Sequence, residues 1–367
     1  MYIAIFSIST AILYIAEKLK EGARKKVLVF IALLIPSIIA GLRDYSIGAD
    51  VLLYGNYWFE RACSYDSLFA FLKKASEYSI ASGYATVNYL VSRISHNPHM
   101  FYFVYELILM YIVYKAVKPF KEQVSIPFAF LIFFFSYYNS SLNILRQIMA
   151  IVLVLYSFQF VVNRKLIRFI LVILLAASFH DTAIVAFIIY PLSLLINSKR
   201  YGRINEAIII LMGIMALIFF DQIYDIISKM NFLSQRYDHY LTDESSGGRI
   251  IRIVYWAIIF ILFLIKSKRC AKSFEHTRTL FIITSISFLA TFLNFFLGAW
   301  AIRIVYYFDV LSVITLPVIA KNMGIKDKKW GNIPSYALIL AITAISWLIT
   351  YVIRSGGGTY PYIFIEM

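Results

Sequence analysis

The chain alternates long apolar runs with short polar connections. The runs at 1 to 16, 27 to 42, 100 to 116, 124 to 140, 145 to 162, 166 to 179, 181 to 197, 204 to 221, 250 to 266, 279 to 297, 302 to 320 and 335 to 353 are each of a length that crosses ~30 Å of hydrocarbon as helix. The pattern predicts an all-α polytopic membrane protein with about 12 transmembrane helices. The first run opens at Met1 without a basic region before it or an A-x-A-type site after it, so it is expected to be retained as a span. Composition agrees: 61% of the 367 residues are hydrophobic and 15% charged, more apolar surface than a soluble domain of this length can bury.

Charge sets the expected orientation, because Lys and Arg accumulate in cytoplasmic loops. Alternate loops are basic, from Lys18 to Lys26, at Lys115, Lys118 and Lys121, at Arg164, Lys165 and Arg168, from Lys199 to Arg203, from Lys266 to Arg278 and from Lys321 to Lys329. These loops hold 23 of the 35 basic residues and six of the 20 acids, so the net charge of +15 reflects topology and does not speak for nucleic acid. Both termini are then expected outside. Cys63 falls in an outer loop and Cys270 in an inner one, so a disulfide between them is not expected.

The chain reads as a single membrane domain, 1 to 367, with two long outer segments. The first, 41 to 100, contains GLRDYSIGAD and then LLYGNYWFERACSYDSLFAFLKK, an amphipathic stretch expected to lie in the interface plane. Its apolar part from Gly83 to Ile94 is interrupted by Arg93 and reads as a short span or a surface helix. The second, 221 to 249, mixes aromatics with charge and ends in Ser245, Ser246, Gly247 and Gly248; it is a flap over an outer cavity or a plain flexible connector. Its cluster of Asp238, His239, Asp243 and Glu244 matches no metal-ligand spacing. No internal repeat is evident, so an inverted-repeat transporter has no support.

Of the 12 basic residues outside the inner loops nine are arginine, against seven of the 23 inside. That bias suits a site that grips phosphate oxygens, since a guanidinium gives paired charge-assisted hydrogen bonds where an ammonium is a point charge. Arg43, Arg146, Arg249, Arg252 and Arg303 all stand at outer helix ends. A charge at that depth either faces a wet cavity, pairs with another, or snorkels to headgroups. Arg146 has Asn143 a turn before it and Gln147 beside it, and Tyr306 and Tyr307 follow Arg303 at helical spacing. Glu106 and Asp309, inside predicted spans, read as arginine partners in preference to a proton relay.

His180 and Asp181 occupy a short outer turn, ASFHDTA, and His180 is read as the one histidine at a membrane boundary on the arginine side. An imidazole there can accept a proton from a sugar hydroxyl or simply cap the helix. Asp44 and Asp50 flank Gly48 in a turn-forming segment with Tyr54 four residues beyond; these carboxylates orient an arginine, bind sugar hydroxyls, act as base, or only shape the loop.

These residues resemble the EpsG-type family of Wzy-like polysaccharide polymerases. The likeness is carried by Arg43, Gly48, Asp50 and Tyr54, near the pattern R-x-x-x-x-G-x-D-x-x-x-Y, by LRQ at Arg146 and Gln147, by Phe179, His180, Thr182 and Ala183 as FH-x-[ST]-A, and by Arg303 with its tyrosines. It covers most of the chain, and Ala49 departs from the threonine frequent in the family. The resemblance implies a GT-C-like bundle in the bacterial cytoplasmic (inner) membrane, working at the outer or periplasmic face without metal or cofactor. It implies polymerisation of O-antigen or exopolysaccharide repeat units carried on undecaprenyl pyrophosphate, with a chain-length regulator as a possible protein partner. On that basis Arg146 and Arg303, with Arg249 and Arg252, are expected to neutralise the departing pyrophosphate in an inverting displacement, and Arg43 to grip either lipid pyrophosphate. His180 is the first expected base and Asp50 the second, with Asp44 or Asp181 orienting and Tyr54, Asn143, Gln147 and Tyr306 near substrate. A ligase moving finished glycan to another acceptor, a flippase of lipid-linked sugar and a membrane acyltransferase are the rival readings.

Overall fold

The computed structural model describes residues 1–220, 222, 249–295, 301–324 and 331–365. Among them the backbone is helical almost throughout, with no strand beyond an isolated bridge between Arg43 and Phe364. This is the expected outcome for apolar runs whose peptide groups must bond within their own segment. Four helices are long and apolar enough to cross a membrane, Pro98–Phe120, Leu145–Val162, Arg249–Ser273 and Ile333–Ile353. The pair Arg303–Asp309 and Ser312–Met323, bent by 43°, makes a fifth if it is one span. The chain is a multi-pass membrane protein. Several expected runs are shorter or broken: 181 to 197 opens as a 3-10 helix, and 124 to 140 loosens into a π-helix at Phe134–Tyr138.

The chain divides into two compact units, Met1–Ile184 with Leu338–Met367, and Val185–Ala337. In the first, α1 (Tyr2–Lys18) packs on α2 (Ala23–Gly41). Then come three short helices, α3 (Tyr57–Cys63), α4 (Leu68–Glu77) and α5 (Ser82–Ser92), in the segment expected to be amphipathic. At 1.5 Å per residue α5 is about 16 Å long, half the hydrocarbon thickness. It packs on α3, α4 and α6 (Pro98–Val117), whose first turn is capped by Asn97 accepting from the His99 N–H. The run α7 (Ile126–Phe133) continues through the π-helix into α8 (Asn139–Ser141).

The centre of this unit is α9 (Leu145–Val162), buried on nearly every side as a helix apolar all round should be. Arg164, with φ at +54°, turns the chain into α10 (Leu166–Phe179), which returns antiparallel against α9. His180, just past α10, is thereby carried back to the end of the hairpin where Arg146 stands. In the second unit α11 (Ile189–Ile196) and α12 (Gly202–Ile218) precede α13 (Arg249–Ser273), α14 (Thr277–Ala290), α15 (Tyr306–Asp309) and α16 (Ser312–Met323). There α13 packs on α14 and α16. Helix α17 (Ile333–Trp347) crosses the division and leads into the C-terminal tail. Most of the expected 221 to 249 flap, with Asp238, His239, Asp243 and Glu244, lies outside the described residues.

Candidate active site

Between α8 and α9 the helix breaks, with Ile144 at φ −82° and ψ 59°. Such a break strips carbonyls of their helical donors, and other groups must supply them. Arg43 Nη1 donates to the Leu142 carbonyl at 2.6 Å, before the break, and the Tyr105 hydroxyl adds a bond at 2.9 Å to the Leu145 carbonyl in the first turn of α9. The Asp50 backbone N–H donates to Asn143 Oδ1 at 3.1 Å, so Asn143 is committed to the loop carrying Asp50.

This break presents Arg146 in the first turn of α9, half-buried, its guanidinium 3.9 Å from the centre of the Tyr54 ring. Tyr54 is held in turn, its carbonyl accepting from the Tyr84 hydroxyl at 2.7 Å. Among the described residues no carboxylate lies within ion-pair distance of Arg146. Its charge is supported by the face of the Tyr54 ring. Gln147, beside it, is buried at the same helix start.

At the matching end of the hairpin His180 caps α10 in extended conformation, its ring Nδ1 2.7 Å from Thr182 Oγ1 and 3.5 Å from Asp181 Oδ1. The Asp181 side chain is 83% exposed and its Oδ1 also accepts the Thr182 N–H, so the hydroxyl of Thr182 is the closer orienting group. Asp44 turns onto Ser46, accepting its N–H at 2.9 Å and its hydroxyl at 2.6 Å, and does not reach an arginine among the described residues. Those bonds, the hydroxyl first, hold the Asp44 carboxyl below the usual carboxylate range. Asp50 starts the π-helix Val51–Asn56 that carries Tyr54.

The second unit has its own arginines. Arg249 opens α13, Arg303 sits half-buried in the 3-10 helix Ala301–Val305, and Arg252 is bonded to the buried Asp309 carboxylate. Arg252 also lies over the Tyr306 ring at 5.0 Å, so Tyr306 serves Arg252. Asp309 is an arginine partner, as expected. Glu106 accepts at Oε1 from the Ser141 hydroxyl at 2.8 Å and lies in the field of Arg43, without an ion-pair contact among the described residues. In this unit a cavity of about 320 Å³ between α12 and α14 is lined by aliphatic side chains, Phe220 and one hydroxyl, Ser285, which is already bonded to the Phe281 carbonyl. It has no group suited to phosphate or to proton transfer. No three His, Cys, Asp or Glu side chains come together among the described residues.

Two features of the first unit were not anticipated from the sequence. His99 lies on the arginine side as well, its Nδ1 2.9 Å from the Gly41 carbonyl and its ring stacked on Tyr45 at 4.6 Å. His180 is therefore not alone there. Asn97-Pro98 ahead of His99 signals the helix start that places it, a cue overlooked for want of an apolar run before it. The C-terminal tail also folds back: Gly48 N–H donates to the Gly358 carbonyl at 3.0 Å and Asp44 N–H to that of Ile363 at 3.0 Å. Thr359 Oγ1 accepts from Asn139 Nδ2 at 2.9 Å. The GGGTYPY run was the available signal.

The family model described as the EpsG family matches residues 26–364, nearly the whole chain. No curated protein and no solved structure matches it.

Proposed function

We propose that this chain, which belongs to the EpsG family, polymerises oligosaccharide repeat units carried on undecaprenyl pyrophosphate at the outer face of the bacterial cytoplasmic membrane. The membrane-inserted form we have in mind is a GT-C-like bundle of twelve spans, supported by the alternation of basic and basic-poor loops along the sequence.

The observation that carries the chemistry is Arg146, a half-buried guanidinium backed by the Tyr54 ring and free of any carboxylate among the described residues. A preorganised cation of this kind is suited to the charge that develops on a departing pyrophosphate. The acceptor sugar hydroxyl attacks the anomeric carbon of the growing chain with inversion. The new carbon–oxygen bond forms as the bond to pyrophosphate breaks, the lipid pyrophosphate leaves on Arg146, and the hydroxyl proton passes to the His180 imidazole. Asp50 is the second choice of base. Arg303 and Arg249 are proposed phosphate contacts of the second unit, whereas the Arg252 charge is already met by Asp309. On this reading guanidinium groups carry the charge that a metal carries in other transferases.

The test is purified full-length protein in nanodiscs given a single lipid-linked repeat unit. A ladder of lengths is expected and separates a polymerase from a ligase, which needs another acceptor. Arg146→Ala is expected to abolish the ladder while leaving membrane insertion intact; a ladder of wild-type intensity from that variant would remove Arg146 from the mechanism.

A further inference from the structure

Three positions of the segment Arg43 to Asp50, spaced as R-x-x-x-x-G-x-D, turn onto Leu142 and Asn143. Arg43 donates to the Leu142 carbonyl at 2.6 Å. Gly48, with φ at +99°, lies so close that a Cβ there would strike the same carbonyl oxygen and stand 3.2 Å from Asn143 Cα. Asp50 N–H reaches Asn143 Oδ1 at 3.1 Å. The fourth position, Tyr54, lies under Arg146 itself.

Arg43 is 1% exposed. Its guanidinium sits 4.0 Å from the Tyr102 ring centre, and Tyr102 is bonded to Asn56. Its Nε has no hydrogen-bond partner among the described residues, yet it is as sealed as the rest of the side chain, so a phosphate would have to open the unit to meet it. A charged donor in such a place makes a strong bond to a carbonyl that has lost its helical partner. What it reaches is the break that delivers Arg146.

We propose that Arg43 is a positioning residue: with Gly48 and Asp50 it cradles the Leu142–Leu145 break, sets where Arg146 presents its guanidinium, and does not touch pyrophosphate. The inference rests on the reading of Arg146 given above. Tyr105, donating to Leu145, closes the far end of the same cradle. A shift of the break moves Arg146 relative to the leaving group, and misplacement by about 1 Å costs about a hundredfold in favourable cases.

Full-length protein in nanodiscs is assayed for ladder formation against concentration of the lipid-linked unit, for binding of undecaprenyl pyrophosphate as probe, and for amide hydrogen exchange over 142 to 147. Arg43→Met is expected to lower kcat by about tenfold or more, with KM and probe affinity within about threefold of wild type. Arg43→Lys restores much of the rate by returning one donor to Leu142. Exchange over 142 to 147 rises in Arg43→Met and, less, in Tyr105→Phe, but not in Arg146→Ala. If Arg43→Met does not insert, Tyr105→Phe carries the test with the same pattern in weaker form. Loss of probe affinity in Arg43→Met equal to that in Arg146→Ala, or unchanged exchange over 142 to 147 in both cradle variants, would overturn the proposal. A wild-type chain without a ladder would sink the polymerase reading alone, since the exchange result still decides the cradle.

Discussion

The guanidinium of Arg146 lies 3.9 Å from the centre of the Tyr54 ring, a contact between the start of a central helix and a short π-helix more than ninety residues earlier in the chain. The ring covers one face of the cation and shields it from water, and on the proposed reading the guanidinium edge meets the pyrophosphate. A cation–π contact of this partly desolvated kind is worth about 1 to 2 kcal/mol. Tyr54→Phe keeps the ring and is expected to keep the ladder; Tyr54→Ala is expected to reduce polymer by about tenfold. Equal rates for the two variants would show that the ring does not support Arg146.

Arg252 and Asp309 form a pair within the second unit, 18% and 4% exposed at their side chains. Removing one partner leaves the other charge buried alone, a loss of about 3 to 5 kcal/mol, whereas replacing both by apolar groups is close to neutral. Arg252→Ala is therefore expected to lower the thermal stability of the detergent-solubilised protein markedly, and Arg252→Met with Asp309→Leu to recover it. Should Arg252→Ala melt with wild type, the pair is dispensable for the fold.

His180 is oriented by Thr182 more closely than by Asp181. Thr182→Val, which keeps shape and loses the hydroxyl, is expected to slow ladder formation by about tenfold, in the range of a general-base contribution partly lost. Asp181→Asn, at an exposed side chain, is expected to change the rate little. The reverse order in single-turnover rates would assign the orienting role to the carboxylate.

Gly48 holds φ at +99°, and a Cβ there would strike the Leu142 carbonyl oxygen. Gly48→Ala meets both a backbone penalty of about 1 to 3 kcal/mol and a collision with backbone that cannot move aside easily. Lower thermal stability together with weaker polymer is expected. A variant with normal melting and normal ladder would show that the loop has room the close approach does not suggest.

Asp44 is held below the ordinary carboxylate range by Ser46. A depressed folded value means that its support for the loop is present above the unfolded value of about 3.9 and is lost as pH falls through the lower folded value. Ser46→Ala is expected to move the Asp44 titration up toward the ordinary value, as followed by infrared difference spectroscopy of the carboxylate. No movement would place the cause elsewhere than in the Ser46 bonds.

Much of this protein is written in local pattern. Apolar run length and the scarcity of charge within runs are enough to determine helices and a bilayer, because in hydrocarbon a segment can satisfy its peptide groups only within itself. The spaced Arg43, Gly48, Asp50, Tyr54, the LRQ at Arg146 and the FHDTA at His180 were likewise visible, and they are what the family match rests beside. What those residues touch was not visible. Arg43 meets a carbonyl 99 positions away, Asp50 an amide side chain 93 away and Arg252 a carboxylate 57 away. Glu106, expected beside an arginine, accepts from Ser141 and lies in the field of Arg43, and the tail returned to Gly48 from the other end of the chain. A carbonyl becomes a target only where the helix above it breaks, and no spacing along the sequence records which one that will be. Sequence alone therefore determined the helical membrane class and the candidate residues; the packed helices decided where the apolar runs break, that Arg43 is buried holding the backbone behind Arg146, and that Arg252 is already paired.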